Sequence, residues 1–196
     1  MWIKTISYDD SSGRLRELYN RVKGPDNNVD NVMLVHSLRP HSMEGHMALY
    51  KHVLHDSRNS LPKWYLESVG VYVSLLNECR YCIDHHYAGL ARLINDEQRS
   101  TKIYAALRAR KPAEAFDGKE LAGLQYAGQL TLSSTSVKES AVKALRAAGF
   151  DDGEILELNQ VTAYFAYANR TVLGLGVHAE EDLVGLSPYD SDAPDN

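Results

Sequence analysis

Cys79 and Cys82 are the only two cysteines in the sequence, and they stand three positions apart. A bridge between them closes too small a loop to constrain an unfolded chain much, so the pair is a poor staple for a fold. A lone CxxC has three other uses: a redox couple, half of a metal site, or two buried cysteines that meet by accident. With Asn77 ending one helix and Cys79 starting the next, both sulfurs lie in the first turn, where unpaired N–H groups and the helix dipole favour a thiolate. A free thiol ionises near ~8.5, and such a position lowers that by about one to several units. Cys82 is the expected attacking thiol. Cys79, one helical turn earlier, is within reach to form a disulfide once Cys82 has become a sulfenic acid.

His86 follows Cys82 by four positions, so at about 3.6 residues per turn its imidazole shares the sulfur's face of the helix. His85, at a spacing of three, is also within reach, and spacing alone leaves both open, with the better fit to His86. A histidine beside a thiol can take its proton and return it to a departing alkoxide, which is the proton traffic that cleavage of a peroxide bond needs. Glu67 interrupts an apolar helical face and is costly to bury unless paired, which makes it the candidate carboxylate behind the histidine. Glu78 is its rival, but a carboxylate at a helix start is explained by the dipole, and its charge opposes a thiolate next door. A zinc site would begin well with the CxxC and His86, yet no second CxxC or HxxxH supplies a fourth ligand. His41, His46, His52 and His55 fall on one helix and read as solvated or packing histidines.

These residues need helices to hold them. Glycine and proline punctuate stretches of helical period, giving an all-α chain of about eight helices. Asp10, Ser11 and Ser12 can cap a first helix bearing Leu15, Leu18, Tyr19 and Val22, ended by Lys23-Gly24-Pro25. A second helix is predicted over Val32–Leu38, and a third from Pro40 through Met43, Met47, Tyr50 and Leu54. Pro62 opens a fourth that runs to Asn77; its β-branched stretch from Val69 could pass for a strand, but the segment is too long for one. Asp96 restarts a helix through Tyr104 and Leu107, and Asp117 precedes another to Leu132. Ser136 with Glu139 reads as a capping box for Val137–Ala148, and Asp151 with Glu154 as another for a helix to about Leu173. The expected organisation is one helical domain over residues 1–186, with a flexible tail over 187–196.

The set Glu67, Cys79-x-x-Cys82-x-x-x-His86 resembles the alkylhydroperoxidase D pattern of the carboxymuconolactone decarboxylase superfamily. The segment Tyr164–Val177, with Asn169-Arg170 and Leu175-Gly176-Val177, is similar to the C-terminal helix of its uncharacterised peroxidase-related branch. The resemblance implies an alkylhydroperoxidase D-like helical bundle, assembly as trimers or hexamers, and reduction of organic hydroperoxides. It implies Cys82 as the peroxidatic cysteine, Cys79 as the resolving one, and Glu67 with His86 as a proton relay. Where the best-known enzymes of the family carry a histidine just before the second cysteine, this chain has Tyr81, which can donate a hydrogen bond but is no base near neutral pH.

Composition narrows the alternatives. A net charge of -5 lacks the basic excess of proteins dedicated to polyanions, so no nucleic-acid partner is expected. No run approaches the roughly 18 apolar residues that span a bilayer, and Met1–Asp10 has no apolar leader pattern, so the reading is cytoplasmic, without a membrane. No glycine-rich phosphate loop follows a strand, and no cofactor or metal is expected. The expected partners are a small hydroperoxide, a thiol reductant and, from apolar stripes on nearly every helix, further copies of the chain. Two other functions compete: a lactone-processing enzyme of the carboxymuconolactone decarboxylase kind, working with histidines and acids, and a non-enzymatic helical assembly whose cysteines sense redox state or bind metal.

Overall fold

The segment Lys63–Leu76, whose β-branched residues invite a strand assignment, is the most deeply buried helix of the chain. Eleven of its residues are buried, because an apolar surface on all sides is satisfied only by surrounding it with other helices. The computed structural model describes residues 1–24 and 27–179, and no strand occurs among them. In order, the helices are α1 (Gly13–Val22), α2 (Asn31–Leu34), α3 (Pro40–Tyr50), α4 (Lys63–Leu76), α5 (Arg80–Ile94), α6 (Glu97–Arg108), α7 (Gly118–Leu132), α8 (Glu139–Ala147) and α9 (Asp152–Leu175). That is nine α-helices among the described residues, one more than expected. α4 runs through the middle, packed by α5, α9 and α7, and α9 packs on both α5 and α7. Leu66, Val69, Leu124, Leu158 and Phe165 join in the core between them, and each is fully buried. A smaller cluster, Leu15, Leu18, Tyr19, Met43 and Met47, seats α1 on α3. No described helix is long and apolar enough to cross a membrane.

Several boundaries differ from the sequence reading. α2 is one turn, Asn31–Leu34, followed by turns rather than helix to Leu38. Pro62 precedes α4 in an extended conformation (ψ 137°) instead of opening it. Ser136 caps nothing: it belongs to a short 3₁₀ turn, and α8 begins at Glu139 behind Lys138, which makes no side-chain cap bond. Asp151 and Glu154 do form a full capping box at the head of α9. The third helix does not run on to Leu54 as an α-helix; after Tyr50 it widens into a π turn, Lys51–His55. Pro25 and the segment 187–196 lie outside the described residues.

Candidate active site

The turn from α4 to α5 is made by two residues. Asn77 closes α4, and Glu78 follows with φ 58°, a left-handed backbone that costs a non-glycine residue free energy. The kink leaves the Glu78 side chain exposed, as a surface carboxylate, and turns Cys79 inward, its N–H donated to the Ser74 carbonyl at 3.0 Å. Asn169 of α9, fully buried, locks this turn: its Nδ2 donates to Ser74 Oγ at 3.1 Å and its Oδ1 accepts from Asn77 Nδ2 at 2.9 Å.

Cys79 thus stands at the N-cap of α5 and Cys82 in its first turn. Both are free thiols, and their sulfurs are 2.9 Å apart. The hydrogen bond from the Cys82 thiol favours the Cys79 thiolate and lowers its pKa against the opposing effect of burial. Cys82 is raised well above the ordinary thiol, by the Cys79 sulfur first and by burial second. Helix position alone predicts a lowered Cys82, and the structure corrects that. At this distance a second sulfur outweighs the helix dipole, because ionising both thiols would place two negative charges in contact.

Only Cys82 of the pair lines a cleft, of roughly 880 Å³ including its mouth, formed between α3, α4, α5 and α9. His86, one turn along α5, lines it too. The His86 Nδ1 lies 2.8 Å from Glu67 Oε2. Since a carboxylate only accepts, Nδ1 carries a proton, which makes Nε2 the nitrogen that can act as a base when the ring is neutral. Glu67 is 4% exposed, and a methyl group on Gly89 would meet its carboxylate only in ordinary van der Waals contact, at 3.6 Å. Phe165 of α9 backs the His86 ring edge-to-face at 4.6 Å. His85, the spacing alternative, donates Nδ1–H to the Tyr81 carbonyl at 3.2 Å, and burial with the nearby His86 holds it neutral, down to about 4. Tyr81 is buried, stacks on His85 at 4.2 Å and accepts the Val32 N–H on its hydroxyl. It braces α5 against α2, so the structure gives Tyr81 a positioning place.

Four side chains of the cleft wall escaped the sequence reading or were set aside by it. His46, read as a packing histidine, is buried beside His36 with ring centroids 5.1 Å apart, and its Nε2 meets the Tyr164 hydroxyl at 3.3 Å. Burial, with His36 adding to it, depresses His46 to about 3. His55, read the same way, comes to 4.0 Å from Glu67 Oε1. Tyr50 and Tyr164, which count in the sequence only as apolar positions, face the same cleft. None of these contacts is local in sequence, and only a buried polar residue on an apolar stripe hints at them. Among the described residues no group of three or more His, Cys, Asp or Glu side chains is arranged to hold a metal ion.

No protein-family model matches the chain, and no curated protein does. Solved structures do. An alkylhydroperoxidase AhpD core, an uncharacterized peroxidase-related protein from Ralstonia eutropha JMP134, aligns with a TM-score of 0.77 at 22% identity, over 90% of each chain. An uncharacterized peroxidase-related protein from Silicibacter sp. TM1040 aligns with a TM-score of 0.72 at 22% identity, over 91% of this chain and 88% of its own. The debrominase Bmp8 also aligns at 0.72, with 15% identity over 94% of this chain and 92% of its own. At such identities the likeness is one of backbone architecture, and on it, together with the all-helical order described above, the chain has the alkylhydroperoxidase AhpD-like fold.

Proposed function

We propose that the chain reduces hydroperoxides with its own thiol pair. The observation that carries this reading is the 2.9 Å contact between two free thiols, one of which, Cys82, opens on a cleft that also holds the His86–Glu67 pair. Transfer of the Cys82 thiol proton to His86 Nε2 is the activating step. Glu67, buried and hydrogen-bonded to the far side of the ring, stabilises the imidazolium that results. The thiolate attacks the terminal oxygen of R–O–OH. An S–O bond forms, the O–O bond breaks, two electrons pass from sulfur to the peroxide, and the alkoxide leaves as the alcohol after taking one proton. Cys79, with its pKa lowered, then attacks the sulfenic sulfur; the disulfide forms and water departs. A dithiol reductant returns the pair to its starting state by thiol–disulfide exchange.

The same pair can remove a halogen from a small aromatic ring, a second reading favoured by Tyr50 and Tyr164 along the cleft and by the architectural likeness to a debrominase. There the thiolate takes the halogen, the ring carbon takes a proton, and Cys79 displaces halide to leave the same disulfide.

The test uses prereduced protein and one equivalent of cumene hydroperoxide. Both thiols are expected to disappear as one equivalent of alcohol is formed, and Cys82→Ser is expected to abolish consumption. A Cys82→Ser protein that consumes peroxide at the wild-type rate sinks the reading. Bromide release from a brominated pyrrole without peroxide consumption selects the second reading, and an activity indifferent to thiol alkylation favours a lactone-processing enzyme instead.

A further inference from the structure

His55 is not where α-helical periodicity puts it. In an α-helix it would sit above Lys51 and His52, pointing with the exposed side of α3. The π turn Lys51–His55 inserts one extra residue into that step, which brings His55 over Tyr50, with ring centroids 4.6 Å apart. Turns of this kind are rare and recur at functional sites, because their looser hydrogen bonding is kept only where a side chain has to be re-aimed. Here the side chain is aimed at Glu67. One carboxylate oxygen, Oε2, takes His86 Nδ1 at 2.8 Å; the other, Oε1, faces His55 Nε2 at 4.0 Å, the range of an ion pair and of a single bridging water. Two imidazoles on one buried carboxylate, in a cleft that one reactive thiol enters, is more than a thiol base requires.

We propose that His55 is the proton donor to the oxygen that departs when Cys82 attacks a hydroperoxide, a role that rests on the peroxidase reading and adds a second imidazole to it. The proton count explains why a pair is useful. In the proposed cycle the two rings hold one positive charge against Glu67, carried at the start by His55, while His86 Nε2 is open to accept and Cys82 keeps its proton. His86 takes the thiol proton, the sulfur attacks, the S–O bond forms as the O–O bond breaks, and the alkoxide takes the His55 proton. At the end His86 is the imidazolium and His55 is neutral. One positive imidazole faces one buried carboxylate before and after, so the site avoids the uncompensated buried charge that a single histidine would leave at one stage or the other. Proton exchange with solvent, to which the His55 and His86 side chains are 20% and 16% exposed, then restores the starting state.

The leaving group provides the test. An alkyl hydroperoxide expels an alkoxide, which needs a proton, whereas a percarboxylic acid expels a carboxylate, which needs none. In single-turnover measurements with prereduced protein, His55→Gln is expected to slow the reaction with cumene hydroperoxide on the order of a hundredfold. Peracetic acid should react within about twofold of wild type, which also reports an intact fold and an intact Cys82–His86 base. Free imidazole added to a His55→Ala protein is expected to restore part of the lost rate. Equal loss toward both oxidants, or no loss toward either, overturns the role of His55 while leaving the thiol pair standing. A wild-type protein inert to both oxidants removes the peroxidase reading and this inference together.

Discussion

The two sides of α4 are buried by different means. Toward α7 the contact is apolar, and the Tyr65 hydroxyl within it is satisfied, donating its proton to the Glu120 carbonyl at 2.8 Å. Toward α5, α9 and the π turn, the same helix brings its own Glu67 up to a thiol pair and a group of histidines. On that side His36 Nε2 and His46 Nδ1 are buried without a hydrogen-bond partner among the described residues. A buried polar atom left unpaired costs about 1–3 kcal/mol, and a fold seeking only stability would have filled both sides alike. The uneven burial therefore locates the chemistry independently of the CxxC, and it divides the molecule into a half that supports and a half that reacts.

Two glycines make that division breakable. A methyl group on Gly70 of α4 would overlap the Phe165 ring, and one on Gly123 of α7 would overlap the Tyr65 hydroxyl and crowd Phe150. Each Gly→Ala change is expected to destabilise the protein by about 1–3 kcal/mol through overpacking, less the roughly 0.5–1 kcal/mol that alanine gains within a helix. Their chemical effects should separate. Phe165 is the ring behind His86, so Gly70→Ala should shift the pH profile of Cys82 alkylation, while Gly123→Ala should leave that profile in place in the folded fraction. Matching profiles in the two variants would erase the boundary drawn along α4.

Acid sharpens the same contrast at a smaller scale. His46 is held down to about 3 and His85 to about 4, both chiefly by burial, from an ordinary 6.5. The unfolded chain takes up protons on these histidines as pH falls below that ordinary value, while the native state refuses them until their depressed values are reached. Stability is thus lost as pH falls between about 6 and about 4, by about 1.4 kcal/mol per unit for each histidine. Urea midpoints measured across this window should fall less steeply for His46→Gln, by close to one proton's worth of slope. An unchanged slope would mean that the native imidazole already carries its proton, which the buried pair with His36 is built to prevent.

How much of this was legible in the sequence depended on the distance over which each feature is determined. The helical character of Lys63–Leu76, the placement of the CxxC at a helix start and the one-turn step from Cys82 to His86 are set by neighbours a few residues away, and periodicity finds them. Glu67 was legible as a carboxylate out of place on an apolar face. His55 was not, because the pattern of a π turn has no period to read, and one inserted residue decides whether that imidazole faces water or Glu67. His46 meets Tyr164 across 118 positions, and Asn169 holds Asn77 across 92; neither pairing leaves a local trace. The direction of the Cys82 shift was misjudged for a related reason: spacing put the second sulfur within reach, but not at the 2.9 Å where it outweighs the helix dipole.

The smallest effect concerns the supporting half, where two capping boxes were expected and one exists. Asp151 accepts the Glu154 N–H at 2.8 Å, and Glu154 returns the bond to the Asp151 N–H at 2.9 Å, so both ends of the box are closed at the start of α9. Ser136 has the same spacing to Glu139, but its hydroxyl donates to the Ser133 carbonyl at 2.7 Å and is spent on the 3₁₀ turn before α8 begins. Asp151→Ala should therefore cost about 1 kcal/mol, as a lost N-cap does. Ser136→Ala, which removes two exposed hydrogen bonds, one of them long at 3.4 Å, should stay within about 0.5 kcal/mol of wild type. Denaturant midpoints for the two variants measure the difference directly. Equal losses would mean that Ser136 caps α8 after all, and since α8 and α9 both pack on α7, neither loss should alter the rate at which Cys82 is alkylated.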